Sequence, residues 1–384
     1  MNSDYAGYFD YAAATPLDSR VKQKMEPFFN DLFYNPSAIY LKARDVRIAK
    51  EEARHRVARA IGSKESEIIF TAGGTEANNL AVVGLSKVHA KGHFICIATD
   101  HDSMINPVKS TGNFDIVGVD NKGFVNISEL SEKICDDTVL VSVCYANNEI
   151  GTIQPVKEIL AVIESERKSR LVNKNSNPIY LHIDAAQATN YLDLSVSRLG
   201  VDLMSINSGK IYGPKQVGCL FVKAGIKISP LIEGGGQENG LRSGSENVAG
   251  LAGFSYAIEQ AVKNRKSESL RLIQLRDYFI KQINQFAEKS FVNGAKGNKR
   301  LANNISLTIP GIDNEYFLMQ LDELGFMVAT GSACSASSEE PSHVLQSIGL
   351  SKEEIFSTVR ITFGRFTAKE SIDNLLGAIK NTLK

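Results

Sequence analysis

Short apolar runs alternate along the first two thirds of the chain with longer stretches in which apolar residues return every three or four positions. The runs near 67–71 and at 95–98, 116–119, 139–143, 179–183, 201–206 and 217–222 have the length of buried strands. Between them, 41–61 reads as a helix, with Val46, Ala49, Ala53, Val57 and Ala60 on one face and Gly62 ending it. Residues 18–30, 128–135 and 156–168 read as further helices, and Ser245 is expected to cap another over 248–263. Strand–helix alternation of this kind predicts an α/β fold with a mostly parallel central sheet covered on both faces. From about Ser267 the texture changes. A long amphipathic helix (Leu270, Ile273, Leu275, Phe279, Ile283) leads to a strand at 304–309 and a helix at 314–324. A strand at 359–363 and a terminal helix from Lys369 follow. That is the pattern of a smaller α+β unit. The expected division is 16–262 for the large domain, with 1–15 and 263–384 forming the small one.

Composition narrows the possibilities. The 384 residues carry 43 Lys plus Arg against 43 Asp plus Glu, so no charge excess points to nucleic acid or an anionic membrane. No apolar run approaches the roughly 18 residues of a membrane-spanning helix, and the N-terminus lacks the blocks of a signal peptide. A cytoplasmic setting is the expectation. The five cysteines have neither CxxC nor zinc spacing, so no metal centre is expected. Cys96, Cys144 and Cys219 lie in strand-like runs and Cys135 ends a helical pattern. Cys334 differs: it stands among Gly331, Ser332, Ala333, Ser335 and Ala336, residues too small to build a core, and its thiol is expected to be reachable.

Polar residues collect where the predicted strands end. Asp184 and Gln187 follow the run 179–183, and Asn207, Ser208 and Lys210 follow 201–206. Open α/β sheets bind ligands outside the carboxyl ends of their strands, so an acid and an amine are delivered to one crevice. Pyridoxal phosphate chemistry needs that pair, a lysine to bind the aldehyde and a carboxylate to hold the pyridinium nitrogen protonated. Gly73, Gly74 and Thr75, between a strand and a helix, are candidates to cradle a phosphate. His101 and Asn148 also follow strand ends. The loop 233–245, rich in glycine and polar residues, is too long and too polar for an ordinary connection.

In order and context these residues resemble the NifS/IscS-type cysteine desulfurases, class V aminotransferase relatives within the fold-type I pyridoxal phosphate enzymes. The resemblance covers nearly the whole chain. It is carried by Gly-Gly-Thr-Glu-Ala-Asn-Asn (73–79), Asn-Asn-Glu-Ile-Gly (147–151), His-Ile-Asp-Ala-Ala-Gln (182–187), Lys-Ile-Tyr-Gly-Pro-Lys (210–215) and the glycine loop. The segment Gly-Ser-Ala-Cys-Ser-Ala-Ser-Ser-Glu-Glu-Pro-Ser-His-Val-Leu (331–345) separates desulfurases from other class V enzymes.

The resemblance implies that Lys210 binds the cofactor, Asp184 pairs with its ring nitrogen and Gln187 contacts its ring hydroxyl. His101 would stack on the ring and move protons. Gly74, Thr75, Asn207 and Ser208 would serve the phosphate, and Asn148 would lie beside cofactor and substrate. Ser245 would reach the phosphate of a second subunit, which implies a homodimer. Arg360 would clamp the L-cysteine carboxylate, and Cys334 would take the sulfur as a persulfide. An iron–sulfur scaffold or a tRNA-thiolation protein would receive it. A selenocysteine lyase, another class V enzyme, or a pyridoxal-binding partner protein without turnover are the alternatives. Three departures stand out, one of them that the family's usual Gly-Ala-Thr-Glu is here Gly73-Gly74-Thr75-Glu76, which keeps the donors and adds flexibility. Where the family usually has Ser-Gly-His before the lysine, this chain has Asn207-Ser208-Gly209, so an imidazole donor to the phosphate is missing. A histidine usual shortly after Asn35-Pro-Ser is replaced by Ala38-Ile39-Tyr40.

Overall fold

The computed structural model describes residues 5–331 and 340–383. Two short helices, α1 (Ser19–Met25) and α2 (Pro27–Asn30), open the fold where one helix was expected. Pro27 cannot donate into a helix interior, but it suits the first position of a new one. Helix α3 (Leu41–Ile61) ends at Gly62, which takes the left-handed conformation (φ 72°) that a C-cap favours. Strand β1 (Ile68–Thr71) turns into α4 (Gly74–Val88), and β2 (His93–Ile97) into α5 (Asp102–Ser110). Then come β3 (Phe114–Val117), α6 (Ile127–Lys133), β4 (Thr138–Cys144), α7 (Val156–Val172) and β5 (Tyr180–Asp184). Helix α8 (Val196–Leu199), β6 (Leu203–Asn207) and β7 (Gly218–Val222) complete the large sheet.

The strand order is β1-β7-β6-β5-β4-β2-β3. The pairs β6–β5, β5–β4, β4–β2 and β2–β3 are parallel, whereas β7 is antiparallel to both neighbours. The sheet is therefore mostly parallel, with one reversed strand near an edge. Strand side chains alternate faces, and the two faces have separate cores. Ile68, Phe70, Ile95, Ile97, Val141, Val143, Leu181, Ile183, Met204 and Ile206 share one with α3 and α9 (Val248–Ile283). Ile69, Phe94, Cys96, Leu140, Leu203 and Leu220 share the other with Ala77, Leu80 and Ala81 of α4 and Met104 and Val108 of α5.

The cap of α9 differs from expectation. The side chain of Asn247 accepts the Gly250 N–H, and Ser245 lies two residues too early to do so. The helix runs unbroken for 36 residues, about 54 Å at 1.5 Å per residue. Its first half packs Leu251, Phe254 and Ile258 on the large sheet, and its second half packs Leu272, Phe279 and Ile283 into a different core. The division expected at 262/263 thus falls inside a continuous helix. The second core belongs to the antiparallel sheet β10-β9-β8, formed by β8 (Phe291–Val292), β9 (Asn304–Thr308) and β10 (Thr358–Thr362). Helices α10 (Asn314–Glu323) and α13 (Lys369–Thr382) cover it, and α11 (His343–Ser347) and α12 (Lys352–Ile355) lie between α10 and β10 in the chain. Among the described residues no helix is long and apolar enough to cross a membrane.

Candidate active site

The face of the sheet under α4 and α5 carries a polar column as well as its apolar core. Ser142 on β4, His182 on β5 and Ser205 on β6 are fully buried. Ser142 Oγ lies 2.8 Å from His182 Nδ1, and Ser205 Oγ lies 2.9 Å from Nε2. Two residues along β5, and so on the same face, comes Asp184. Its Oδ1 accepts the Ala186 N–H at 2.9 Å, and its Oδ2 accepts the side-chain N–H of Asn78 at 2.8 Å. Asn78 projects from α4 and also donates to Ser103 Oγ at 2.9 Å. Ser103 in turn contacts His101, whose Nδ1 accepts the Ser103 backbone N–H at 3.0 Å. That bond fixes the neutral tautomer of His101 with its proton on Nε2. Asp184, Asn78, Ser103 and His101 form one chain across the strand ends.

Lys210 sits in the short turn Ser208–Lys210 that follows β6. Its Nζ donates to the carbonyls of Ala12 at 2.9 Å and Ala13 at 2.6 Å. Gln187 Nε2 donates to the same Ala12 carbonyl at 2.9 Å, so Gln187 and Lys210 converge on one residue of the N-terminal segment. Asn207 Oδ1 accepts the Gly209 N–H at 3.0 Å. Its Nδ2 lies 3.6 Å from where a Cβ on Gly74 would stand, which puts Asn207 against the glycine turn. Gly73 there takes φ 136°, open to glycine alone, and α4 begins without a side-chain cap. Ser208 is different. Its Oγ is packed against Gly213, where a Cβ would come within 2.1 Å, and has no hydrogen-bond partner among the described residues. The expected phosphate role of Ser208 is therefore corrected to that of a buried hydroxyl beneath the turn.

Asn148 stands in the loop after β4, and its carbonyl accepts from Asn304 at 3.1 Å. Its neighbour Asn147 ties that loop to the one after β2, donating to the Thr99 carbonyl at 2.7 Å. Arg360 of β10 is almost fully buried. Its Nη2 pairs with Asp10 at 2.7 Å, and its Nε has no hydrogen-bond partner among the described residues. Ser245 is exposed at the end of the glycine loop, whose body is tied to α3 by the ion pair of Arg54 with Glu238. Cys334 lies outside the described residues.

Several contributors carry no motif of their own. The carbonyls of Ala12 and Ala13 hold Lys210. Lys215, its amine pushed below the usual lysine range by burial, lies beside Gly209, where a Cβ would meet its Cδ at 3.2 Å. Asp100 accepts the backbone N–H groups of Ile97 at 3.0 Å and Cys144 at 2.7 Å. Burial, with the nearby Asp184 charge, pushes its carboxyl up to about 7. One signal was available: Asn78 is a polar residue at a core-facing position of an otherwise apolar helix face.

Pyridoxal phosphate suits this set of residues. The uncapped α4 N-terminus and side-chain-free Gly73–Gly74 leave backbone N–H groups and space for a dianion beside Asn207. Buried Asp184 offers a fixed anion for a pyridinium N–H, and Lys210 the amine.

Fold and residues together define a fold-type I pyridoxal phosphate enzyme. Within that class the chain belongs to the aminotransferase class-V family, whose profile matches residues 7–375. The cysteine desulfurase IscS of Dictyoglomus turgidum is 42% identical, with 98% of this chain and 94% of the relative covered. Cysteine desulfurase IscS 1 of Archaeoglobus fulgidus is 40% identical, covering 98% and 97%. Among solved structures, a NifS-like protein superposes with TM-score 0.89 at 30% identity over 98% of both chains. SspA in complex with cysteine does so with TM-score 0.80 at 32% identity, covering 94% of this chain and 100% of that one.

Proposed function

We propose that this chain is a cysteine desulfurase, which converts L-cysteine to L-alanine and leaves the sulfur as a persulfide on Cys334. The observation that carries this reading is the presence of Lys210, Asp184 and the Cys334 segment in one chain of which 98% is matched by relatives named cysteine desulfurase. The cofactor, when bound, supplies a sink for the electron pair left at the substrate Cα.

The protein's own groups then have separate tasks. Lys210 would hold the cofactor, and its Nζ, when free, would be the base for the substrate Cα proton. Asp184, its oxygens fixed by Asn78 and the Ala186 N–H, keeps the ring nitrogen protonated. Gly74, Thr75 and Asn207 hold the phosphate, and Gln187 and Asn148 flank the ring. His101, anchored through Nδ1, presents Nε2–H for stacking and proton movement. Arg360 receives the substrate carboxylate with its unpartnered Nε, while Asp10 holds Nη2. Cys334 attacks the substrate sulfur as the thiolate. A free thiol is only about 3% ionised at pH 7, so a base in the site must draw off the proton.

The chain works as a homodimer in this reading. Phe29, Phe33, Ile39, Tyr40, Leu41 and Ile48 form an exposed apolar patch around the start of α3, and Phe33 stacks on Tyr34 at 4.4 Å. Arg54 and Lys50 of the same helix bind Glu238 and Glu246 of the glycine loop. A second copy covering the patch would meet that loop and Ser245 at once. The acceptor is an iron–sulfur scaffold or a tRNA-thiolation protein in the cytoplasm.

Cys334→Ser should bind cofactor and cysteine but release no sulfide, because a neutral hydroxyl is a far poorer nucleophile than a thiolate. Lys210→Ala should lose both the cofactor's visible band and turnover. Mass spectrometry of the native enzyme after exposure to cysteine should find one extra sulfur on Cys334. Sulfide release by Cys334→Ser at the native rate would replace this reading with that of a lyase acting directly on the substrate.

A further inference from the structure

At the opposite end of the strands from the cofactor crevice, where β2 and β4 begin, a thiol, an imidazole and a carboxylate stand in line. Cys135 is exposed, and its Sγ lies 3.6 Å from Nδ1 of His93. His93 is buried, and its Nε2 lies 3.3 Å from Oδ2 of the half-exposed Asp115. Thr138 joins the group. Its Oγ1 is 2.9 Å from His93 Nδ1 and 3.4 Å from Cys135 Sγ, and it accepts the Cys135 backbone N–H at 2.8 Å. The β2–β4 register slips by one residue between His93 and Phe94, the kind of irregularity that re-aims a side chain. Arg170, paired with Glu166 at 2.7 Å, donates to the Cys135 carbonyl at 2.8 Å and holds that turn in place. The other described cysteines, Cys96, Cys144 and Cys219, are buried, and burial pushes their thiols up.

We infer that Cys135 is a second reactive thiol of this chain, served by His93 as base and Asp115 as its orienting carboxylate, and that it exchanges with low-molecular-weight disulfides. The carboxylate biases the tautomer: with Asp115 Oδ2 3.3 Å from Nε2, the ring proton is favoured there, which leaves the Nδ1 lone pair facing the thiol. The Cys135 proton passes to Nδ1, directly or through the Thr138 hydroxyl, and that hydroxyl then donates to the thiolate. The thiolate attacks one sulfur of the disulfide R–S–S–R. A Cys135 Sγ–S bond forms, the S–S bond breaks, and the leaving thiolate takes the proton from His93. The balance is one protein thiol plus R–S–S–R giving a protein mixed disulfide plus R–SH. The seven residues of β4, about 20 Å of strand, separate this group from the loops of the cofactor crevice. It is therefore a modification site on a different face, independent of the desulfurase reading.

The test uses the full-length holoenzyme carrying Cys334→Ser, so that thiol adds no signal. Oxidised glutathione is added at pH 7, and peptide mass spectrometry follows the mixed disulfide at Cys135 over time. His93→Gln should slow it about tenfold or more. Asp115→Asn, a change at a half-exposed position that does not threaten the fold, should slow it about threefold. If His93→Gln does not fold, Asp115→Asn decides alone. Rates at Cys135 within 1.5-fold of the parent in the variants that fold, or a parent whose Cys135 takes up no glutathione, would overturn the inference.

Discussion

Replacing Glu238 tests how the glycine loop is held. Its carboxylate receives Arg54 Nη1 at 2.8 Å and Nη2 at 2.7 Å, and its Oε2 also accepts the Phe70 N–H at 2.8 Å. The Glu238 side chain is 2% exposed and that of Arg54 10%, so solvent screens the pair little. In Glu238→Ala, Arg54 keeps Glu51 and the Ile68 carbonyl but loses its buried counter-charge, and the Phe70 N–H loses its acceptor. Breaking a buried pair from one side costs about 3–5 kcal/mol. Backbone conformation adds a second term. Glu238 sits at φ 51°, where an L-residue with a Cβ is strained by about 1–2 kcal/mol and glycine is not. Glu238→Gly should therefore lose the same ion pair yet be about 1 kcal/mol more stable than Glu238→Ala. Urea melts of the three proteins, compared at constant m-value, measure both differences. Glu238→Gln keeps one acceptor and should cost about half as much as alanine. An alanine variant within 1 kcal/mol of the parent would refute the ion-pair account. Alanine and glycine variants of equal stability would refute the backbone account.

His182 makes stability depend on pH. Burial holds its imidazole down at about 4, against about 6.5 in an unfolded chain, so acid is taken up by the unfolded state first. Its contribution is present above pH 6.5 and is lost as pH falls towards 4, by about 3 kcal/mol at 1.36 kcal/mol per unit. Asp100, raised to about 7, acts with the opposite sign over the same window. The readout is therefore the difference between parent and His182→Gln melts, which should shrink as pH falls; a flat difference would contradict the assignment. Gly209→His restores the missing imidazole if the Lys215 stem yields the few tenths of an ångström that a 3.2 Å Cβ contact demands. It should then slow cofactor loss on dialysis, since a charge-assisted hydrogen bond is worth about 1.5–3 kcal/mol. Unchanged loss would mean that Asn207 and the helix N-terminus already satisfy the phosphate, and faster loss that the Lys215 stem does not yield.

Most strands were legible because they are short apolar runs whose two faces are both buried; β3, with Phe114 exposed and Asp115 half-buried, is an exception, and the ends shifted by a residue or two. Direction was not legible: nothing in 217–222 distinguishes the antiparallel β7 from its parallel neighbours, since a fully buried strand reads the same either way. Helix α5 escaped because Pro107 lies inside it and blurs the periodic pattern. The two-residue β8 is too short to leave a pattern. Pro27 splits 18–30 into α1 and α2, a break that its lack of an N–H donor imposes. At the site, Asp184, Gln187, Asn207, Lys210 and His101 could be singled out because polar residues just past buried strands are conspicuous. Ser208 belonged to the same run, and only three dimensions turn it away from its neighbour Asn207. Asn78 lies 106 residues from the Asp184 it holds, and the Ala12 and Ala13 carbonyls lie 198 and 197 from Lys210. Backbone acceptors have no sequence signature at all.

The N-terminal segment shows what such long-range contacts accomplish. One end of it belongs to the small sheet: Thr362 donates its N–H to the Phe9 carbonyl at 2.7 Å, Phe9 is buried in the core of that sheet, and Asp10 pairs with Arg360. A few residues on, Ala12 and Ala13 carry the carbonyls that hold Lys210, while Thr15 Oγ1 donates to the Gly209 carbonyl at 3.1 Å. The proposed substrate arginine and the proposed cofactor lysine therefore hang from the same six residues, although they stand 150 positions apart in the chain and on different sheets. A chain with two sheets joined only by α9 would leave their mutual distance to the bending of one long helix. The extended segment fixes that distance through short, directional hydrogen bonds at both ends. Precision at a reacting centre depends on supports of this kind. For Lys210 the backbone provides them, so side-chain variation at 12 and 13 leaves its acceptors in place, whereas Thr15 contributes through its side chain, donating to the Gly209 carbonyl and accepting the Tyr212 N–H.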